Sequence, residues 1–129
     1  MDTSAPDPMV PMPGPISCDG SWGPPARDGS RYALLDGNPA TCGAVFCYAL
    51  WLPAGFRDPP HLHSTDARIF VASGALLLGY GDRANFTAAL RIEAPAFVRV
   101  PARCVHFDGV DVDTLIFGTA TGRWYTRYV

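Results

Sequence analysis

The 129-residue chain has no lysine and no glutamine, and Glu93 is its only glutamate, so ten arginines carry all of its fixed positive charge. A glutamate missing from a motif therefore cannot be replaced by a nearby one. The formal charge of -2, the pI near 5.8 and the scattered arginines exclude the basic footprint needed for nucleic acid or an anionic membrane. No apolar run approaches the roughly 18 to 20 residues that span a bilayer. The four cysteines, Cys18, Cys42, Cys47 and Cys104, show no CxxC spacing, and the N-terminus lacks the basic and apolar regions of a signal peptide. Reduced thiols and a cytoplasmic location are expected. No solenoid repeat is visible.

What the chain does have is proline, glycine and short β-rich runs. Seven of the 13 prolines fall in the first 25 residues, which forbids a helix there and favours extended chain. Residues 1–30 are therefore expected to form a Pro-rich N-terminal arm, and residues 31–129 a single domain burying about two thirds of its unfolded surface. From Arg31 the runs RYALLD, GAVFCYALWL, ARIFVAS, ALLLGY, FVRV, DTLIFGTA and RWYTRYV are separated by turn signals. An all-β sandwich or barrel follows. One segment, DRANFTAALRIEA, predicts a helical turn around Asn85 to Leu90.

The stretch PPHLHSTDARIFVASG carries the chemistry. On a strand, alternate side chains share a face, so His61 and His63 project together, as two ligands of one metal must. The positions that follow offer Asp66, Ala67 and Arg68. Asp66 and Arg68 flank the vacant position with the opposite parity, and Asp66 is expected as a loop or surface acid paired with an arginine. The strand GAVFCYALWL sets Phe46, Tyr48, Leu50 and Leu52 on one face and Cys47, Ala49 and Trp51 on the other. Tyr48, Trp51, Trp124 and Tyr125 are candidate pocket walls.

These residues resemble the cupins, small antiparallel jelly-roll barrels. Gly55, five residues, His61, Leu62, His63, three residues, Ala67, six residues and Gly74 keep the spacing of the first cupin motif, with its glutamate replaced by alanine. Pro95, five residues, Pro101, Ala102, Arg103, two residues and His106 keep the proline and histidine of the second, with both glycines replaced and Val110 where an asparagine would stand. The wording PAGFRDPPHLHSTDARIFVASG, and PARCVHF further on, is similar to compact cupins of the kind that form the C-terminal domain of ChrR-type anti-sigma factors. The resemblance spans about residues 20 to 129 and implies an all-β, antiparallel jelly-roll barrel.

It also implies one divalent metal ion (Fe, Mn, Ni, Co or Zn) held by His61, His63 and His106, the only histidines of the chain. With alanine at position 67 the ion would keep its full double charge, which favours anionic, chelating ligands. Cys104, two residues before His106, is expected beside the metal or substrate, and Arg103 or Arg99 at the pocket mouth as an anion clamp. His106, Cys104 and Arg103 are the candidate catalytic residues. The expected function is a metal-dependent cupin enzyme acting on a small organic substrate, by dioxygenase chemistry first and cyclase or isomerase chemistry second. A metal- or small-molecule-binding sensor module is the alternative. A homodimer is expected, formed through an edge strand or the arm.

Overall fold

The computed structural model describes residues 22–129. Most of the proposed arm lies outside them. Within its last stretch, Trp22 bridges Ala33 and the Gly23 amide donates to the Tyr32 carbonyl at 2.8 Å.

Among the described residues there are ten strands and no helix: β1 (Arg31–Asp36), β2 (Val45–Leu52), β3 (Arg57–His63), β4 (Ala67–Ser73), β5 (Ala75–Tyr80), β6 (Leu90–Glu93), β7 (Ala96–Val100), β8 (His106–Gly109), β9 (Thr114–Thr121) and β10 (Thr126–Tyr128). They form two five-stranded antiparallel sheets, ordered β1-β2-β9-β4-β7 and β10-β3-β8-β5-β6. The expected jelly roll is what the chain builds.

Period-two burial decides which face turns inward. In β4, Ala67, Ile69 and Val71 are buried while Arg68 is exposed; in β9, Thr114, Ile116 and Ala120 are buried. Leu52, Ile69, Val71, Leu76, Leu78, Val100, Val110 and Ile116 meet between the sheets, where each aliphatic side chain contributes roughly 1.5–3 kcal/mol on burial. A smaller cluster of Phe46, Tyr48 and Ala120 packs against Trp124, and a cavity opens between the two groups.

The segment from Asp82 to Ala89 corrects the helical expectation. It holds only two turn hydrogen bonds, Ala88 N to Asn85 O at 3.2 Å and Ala89 N to Phe86 O at 3.4 Å. Leu90 to Glu93 then pair along the edge of β5 instead of continuing a helix, because the open edge offers a ladder that local propensity does not.

A bulge in β3 shapes the wall that carries its histidines. Asp58 sits opposite Asp108 and His61 opposite His106, so three residue steps on β3 match two on β8. The extra residue falls at Pro59-Pro60, where proline has no amide to give the ladder. The bulge resets the parity of the strand and turns Asp58 to the same face as His61.

Candidate metal centre

His61 and His63 come from the end of β3 and His106 from the start of β8. Their ring centroids lie 4.2 Å apart for His61 and His106, 4.9 Å for His61 and His63, and 5.0 Å for His63 and His106. One ring nitrogen from each lies within 4.8 Å of the other two. His61 and His106 are each only 1% exposed, while His63 is half-buried and stacks on the Trp124 indole at 4.3 Å.

Each ring is fixed through its other nitrogen. His61 Nδ1 donates to the Pro59 carbonyl at 2.6 Å and His106 Nδ1 to the Cys104 carbonyl at 2.9 Å; His63 Nδ1 meets Thr126 Oγ1 at 3.0 Å. Outer hydrogen bonds of this kind orient ligating imidazoles and select the Nε2 lone pair for the metal. Burial, then the neighbouring His61 and His106, push the His63 pKa down to about 3. Burial likewise lowers that of His106, against the raising effect of its bond to Cys104. Neutral imidazoles are the form that ligates.

Ala67 lines the cavity and brings no donor. Two carboxyls that sequence reasoning missed face the histidines instead. Asp58 Oδ2 lies 3.5 Å from His61 Nε2, and Asp108 Oδ2 lies 3.9 Å from His106 Nε2. Asp58 Oδ1 accepts the Tyr128 hydroxyl at 2.8 Å. Desolvation, then the charge of Asp58, push the Asp108 pKa up to about 8. The 20% of its side-chain surface that stays accessible faces the cavity it lines. The signal that could have found Asp58 is the Pro-Pro pair, which marks the bulge; Asp108 follows His106 at strand spacing.

The cavity, of about 400 Å³, is walled by aromatic residues Tyr32, Phe46, Tyr48, Phe56, Trp124 and Tyr128. The inward face of β2 is therefore that of Phe46, Tyr48, Leu50 and Leu52. Trp51 and Tyr125 are not among the lining residues, whereas Tyr48 and Trp124 are. Among the described residues, the ionisable side chains that line the cavity apart from the histidines and tyrosines are Asp28, Asp58 and Asp108, with no arginine.

The flanking expectations need correction. Cys104 and Arg103 do not line the cavity, because residues 101–105 form a turn ahead of β8 and strand parity does not extend back to them. Cys104 reaches the site only through its carbonyl. Arg103 takes φ 60°, the left-handed conformation for which the cupin motif uses glycine, and its amide donates to the His63 carbonyl at 2.8 Å. Arg99 pairs with Asp66 at 3.4 Å, and Asp66 also accepts the Ala102 amide at 2.7 Å, so this pair lies off the cavity as the sequence suggests for Asp66.

Two buried imidazoles and one half-buried, each anchored through its outer nitrogen and set beside carboxyls, suit a divalent first-row ion, and the donor set fits one. No protein-family model matches the chain, and no curated protein matches its sequence. Solved structures do match its fold. An acetylacetone dioxygenase from Acinetobacter johnsonii is similar with a TM-score of 0.68 at 18% identity, covering 96% of this chain and 83% of that one. A cupin-like protein from Thermotoga maritima gives 0.66 at 16%, covering 95% and 89%. The complex of SigE with the anti-sigma ChrR from Rhodobacter sphaeroides gives 0.58 at 20%, covering 76% of this chain and 46% of the matched chain. The fold is the cupin fold.

Proposed function

We propose that the protein is a mononuclear metal-dependent enzyme that binds one divalent ion through Nε2 of His61, His63 and His106 and carries out dioxygenase-type chemistry on a small chelating organic compound. The observation that carries this is the convergence of three anchored imidazoles on a cavity of about 400 Å³. A sensor needs the ligands but not a chamber of substrate size beside them. The fold likeness to an acetylacetone dioxygenase supports the choice of reaction, and it favours small dicarbonyl-like compounds as the first to try.

A bound ion would supply Lewis acidity and, if redox-active, activation of dioxygen. The chain's own residues do the rest. Aromatic walls exclude water and hold the substrate's apolar body, with Trp124 fixing both the wall and the His63 ring. No arginine among the described lining residues is placed to receive an anionic group, so a neutral chelator is preferred to the anionic one expected from sequence.

One observation favours cyclase or isomerase chemistry as a second reading. Asp58 and Asp108 face each other across β3 and β8, and Tyr128 bonds Asp58, so the cavity contains groups that can hold and move a proton at a bound substrate. Protein purified without a metal-affinity tag, loaded with Fe²⁺ and supplied with acetylacetone and related chelators, should consume oxygen. His106→Ala should lose both metal and oxygen uptake. Substrate conversion without oxygen uptake selects the second reading, and a metal-loaded protein that converts nothing returns the chain to the sensor class.

A further inference from the structure

His61 Nε2 and Asp58 Oδ2 face each other at 3.5 Å, and in the ligating form of the ring both are acceptors. The contact of His61 Nδ1 with the Pro59 carbonyl, at 2.6 Å, requires that Nδ1 carry the hydrogen, since a carbonyl only accepts. In the neutral form that ligates, Nε2 presents a lone pair to Asp58 Oδ2 at 3.5 Å, whereas a protonated ring would pair with the carboxylate. That separation is too long for a hydrogen bond and unfavourable for two lone pairs in a desolvated wall. It is the separation of two neighbours around one cation: with metal bonds of about 2.0–2.2 Å, adjacent donors stand about 3 to 3.5 Å apart.

Two groups of donor atoms share His61, and Asp58 joins His61 without lying within the same 4.8 Å of both His63 and His106, so its carboxylate must swing inward to meet their ion. Donor atoms of His61, His63 and His106 lie within 4.8 Å of one another, and so do those of Asp58, His61 and Asp108. His61 belongs to both, and with Nδ1 engaged it has one lone pair to give, which can serve only one ion.

We propose that Asp58 is the fourth protein ligand, so that β3 supplies, through the Pro59-Pro60 bulge, the carboxylate that position 67 lacks. This rests on the three-histidine reading above. Asp58 is preferred to Asp108 because its Oδ2 is the nearer to a histidine nitrogen, 3.5 against 3.9 Å, and because Tyr128 holds Oδ1 and so aims Oδ2 at the site. The ligand charge is then the same as if a glutamate stood at position 67. The ion keeps one net positive charge and one open position fewer.

The test is a Co²⁺ titration of the full chain, purified without a metal-affinity tag, stripped with chelator and followed by visible absorption. Asp58→Asn preserves shape and the acceptor for Tyr128 while removing the carboxylate. It should lower Co²⁺ affinity roughly tenfold to a hundredfold and shift the bands of the bound ion. Asp82→Asn, which removes the same charge from an exposed loop, should change neither. If the stripped Asp58→Asn protein does not melt cooperatively, Asp58→Ser is read in the same way. Unchanged affinity in a folded Asp58 variant overturns the assignment; so does weakened affinity with unmoved bands, which would make Asp58 an orienting group behind His61. A parent protein that binds no Co²⁺ overturns the three-histidine reading itself and the Asp58 assignment with it. Where the parent binds and His106→Ala does not, that reading stands and the Asp58 variant alone decides.

Discussion

Asp108→Asn should flatten the alkaline side of the stability curve of the metal-stripped protein. In the folded chain, desolvation and the charge of Asp58 hold the Asp108 pKa at about 8, against 3.8 for a free aspartate. Between those values the folded state binds a proton that the unfolded state has released, so stability falls as pH rises. His63, held at about 3 against 6.5, acts in the opposite sense: below pH 6.5 the unfolded state binds the extra proton, and stability rises with pH. The two trends oppose each other up to about pH 6.5, and above it Asp108 acts without that opposition. One proton corresponds to about 1.4 kcal/mol per pH unit, so the parent should lose at most about 2 kcal/mol between pH 6.5 and 8. The cavity-facing surface of Asp108 makes that a ceiling. Urea denaturation in chelator at half-unit pH intervals measures it: the Asn variant, with nothing to titrate at position 108, should be nearly level over this window. Parallel curves for parent and variant would refute the assignment of the buried proton to Asp108.

Three further outcomes follow from the same geometry. Thr126→Val removes the partner of His63 Nδ1 and should weaken metal binding by roughly tenfold while leaving the fold's melting transition cooperative, as measured by Zn²⁺ competition. Ala67→Glu adds a carboxylate at the vacant motif position on the cavity wall and should raise metal affinity while lowering turnover, because it takes a position that substrate needs; unchanged affinity and turnover would show that position 67 does not address the metal. Arg103→Gly relieves a left-handed residue, a conformation costing about 1–2 kcal/mol for side chains other than glycine, and after the added flexibility of the unfolded chain should stabilise by up to about 1 kcal/mol in urea denaturation. Were Arg103 instead an anion clamp, the same change would leave stability alone and raise the substrate KM.

Much of the architecture is written in local pattern. The runs RYALLD, ARIFVAS and ALLLGY become β1, β4 and β5 with their ends where the turn residues stand, because alternation and Gly or Pro punctuation are both local signals. β6 was hidden in a segment that reads as a turn of helix, since the edge of β5 that recruits it lies elsewhere in the chain. The histidine triad was legible because His61 and His63 share strand parity and His106 sits on a recognisable motif. Asp58 was not, because parity puts it on the opposite face until the bulge at Pro59-Pro60 resets the count. Cys104 and Arg103 were misplaced for the converse reason: parity was extended through a turn. The acidic lining of the cavity, with Asp28 arriving from before β1 and Tyr128 from β10, is a product of topology that no spacing along the chain reveals.

One divalent ion should sit on Nε2 of His61, His63 and His106. Anomalous diffraction at the cobalt edge from crystals of Co²⁺-loaded protein tests it most directly. A single strong peak per chain is expected, bonded to those three nitrogens at about 2.0–2.2 Å, with each Nδ1 still on its oxygen partner. Loaded crystals with no peak among the three rings, or with a ring ligating through Nδ1, would contradict it.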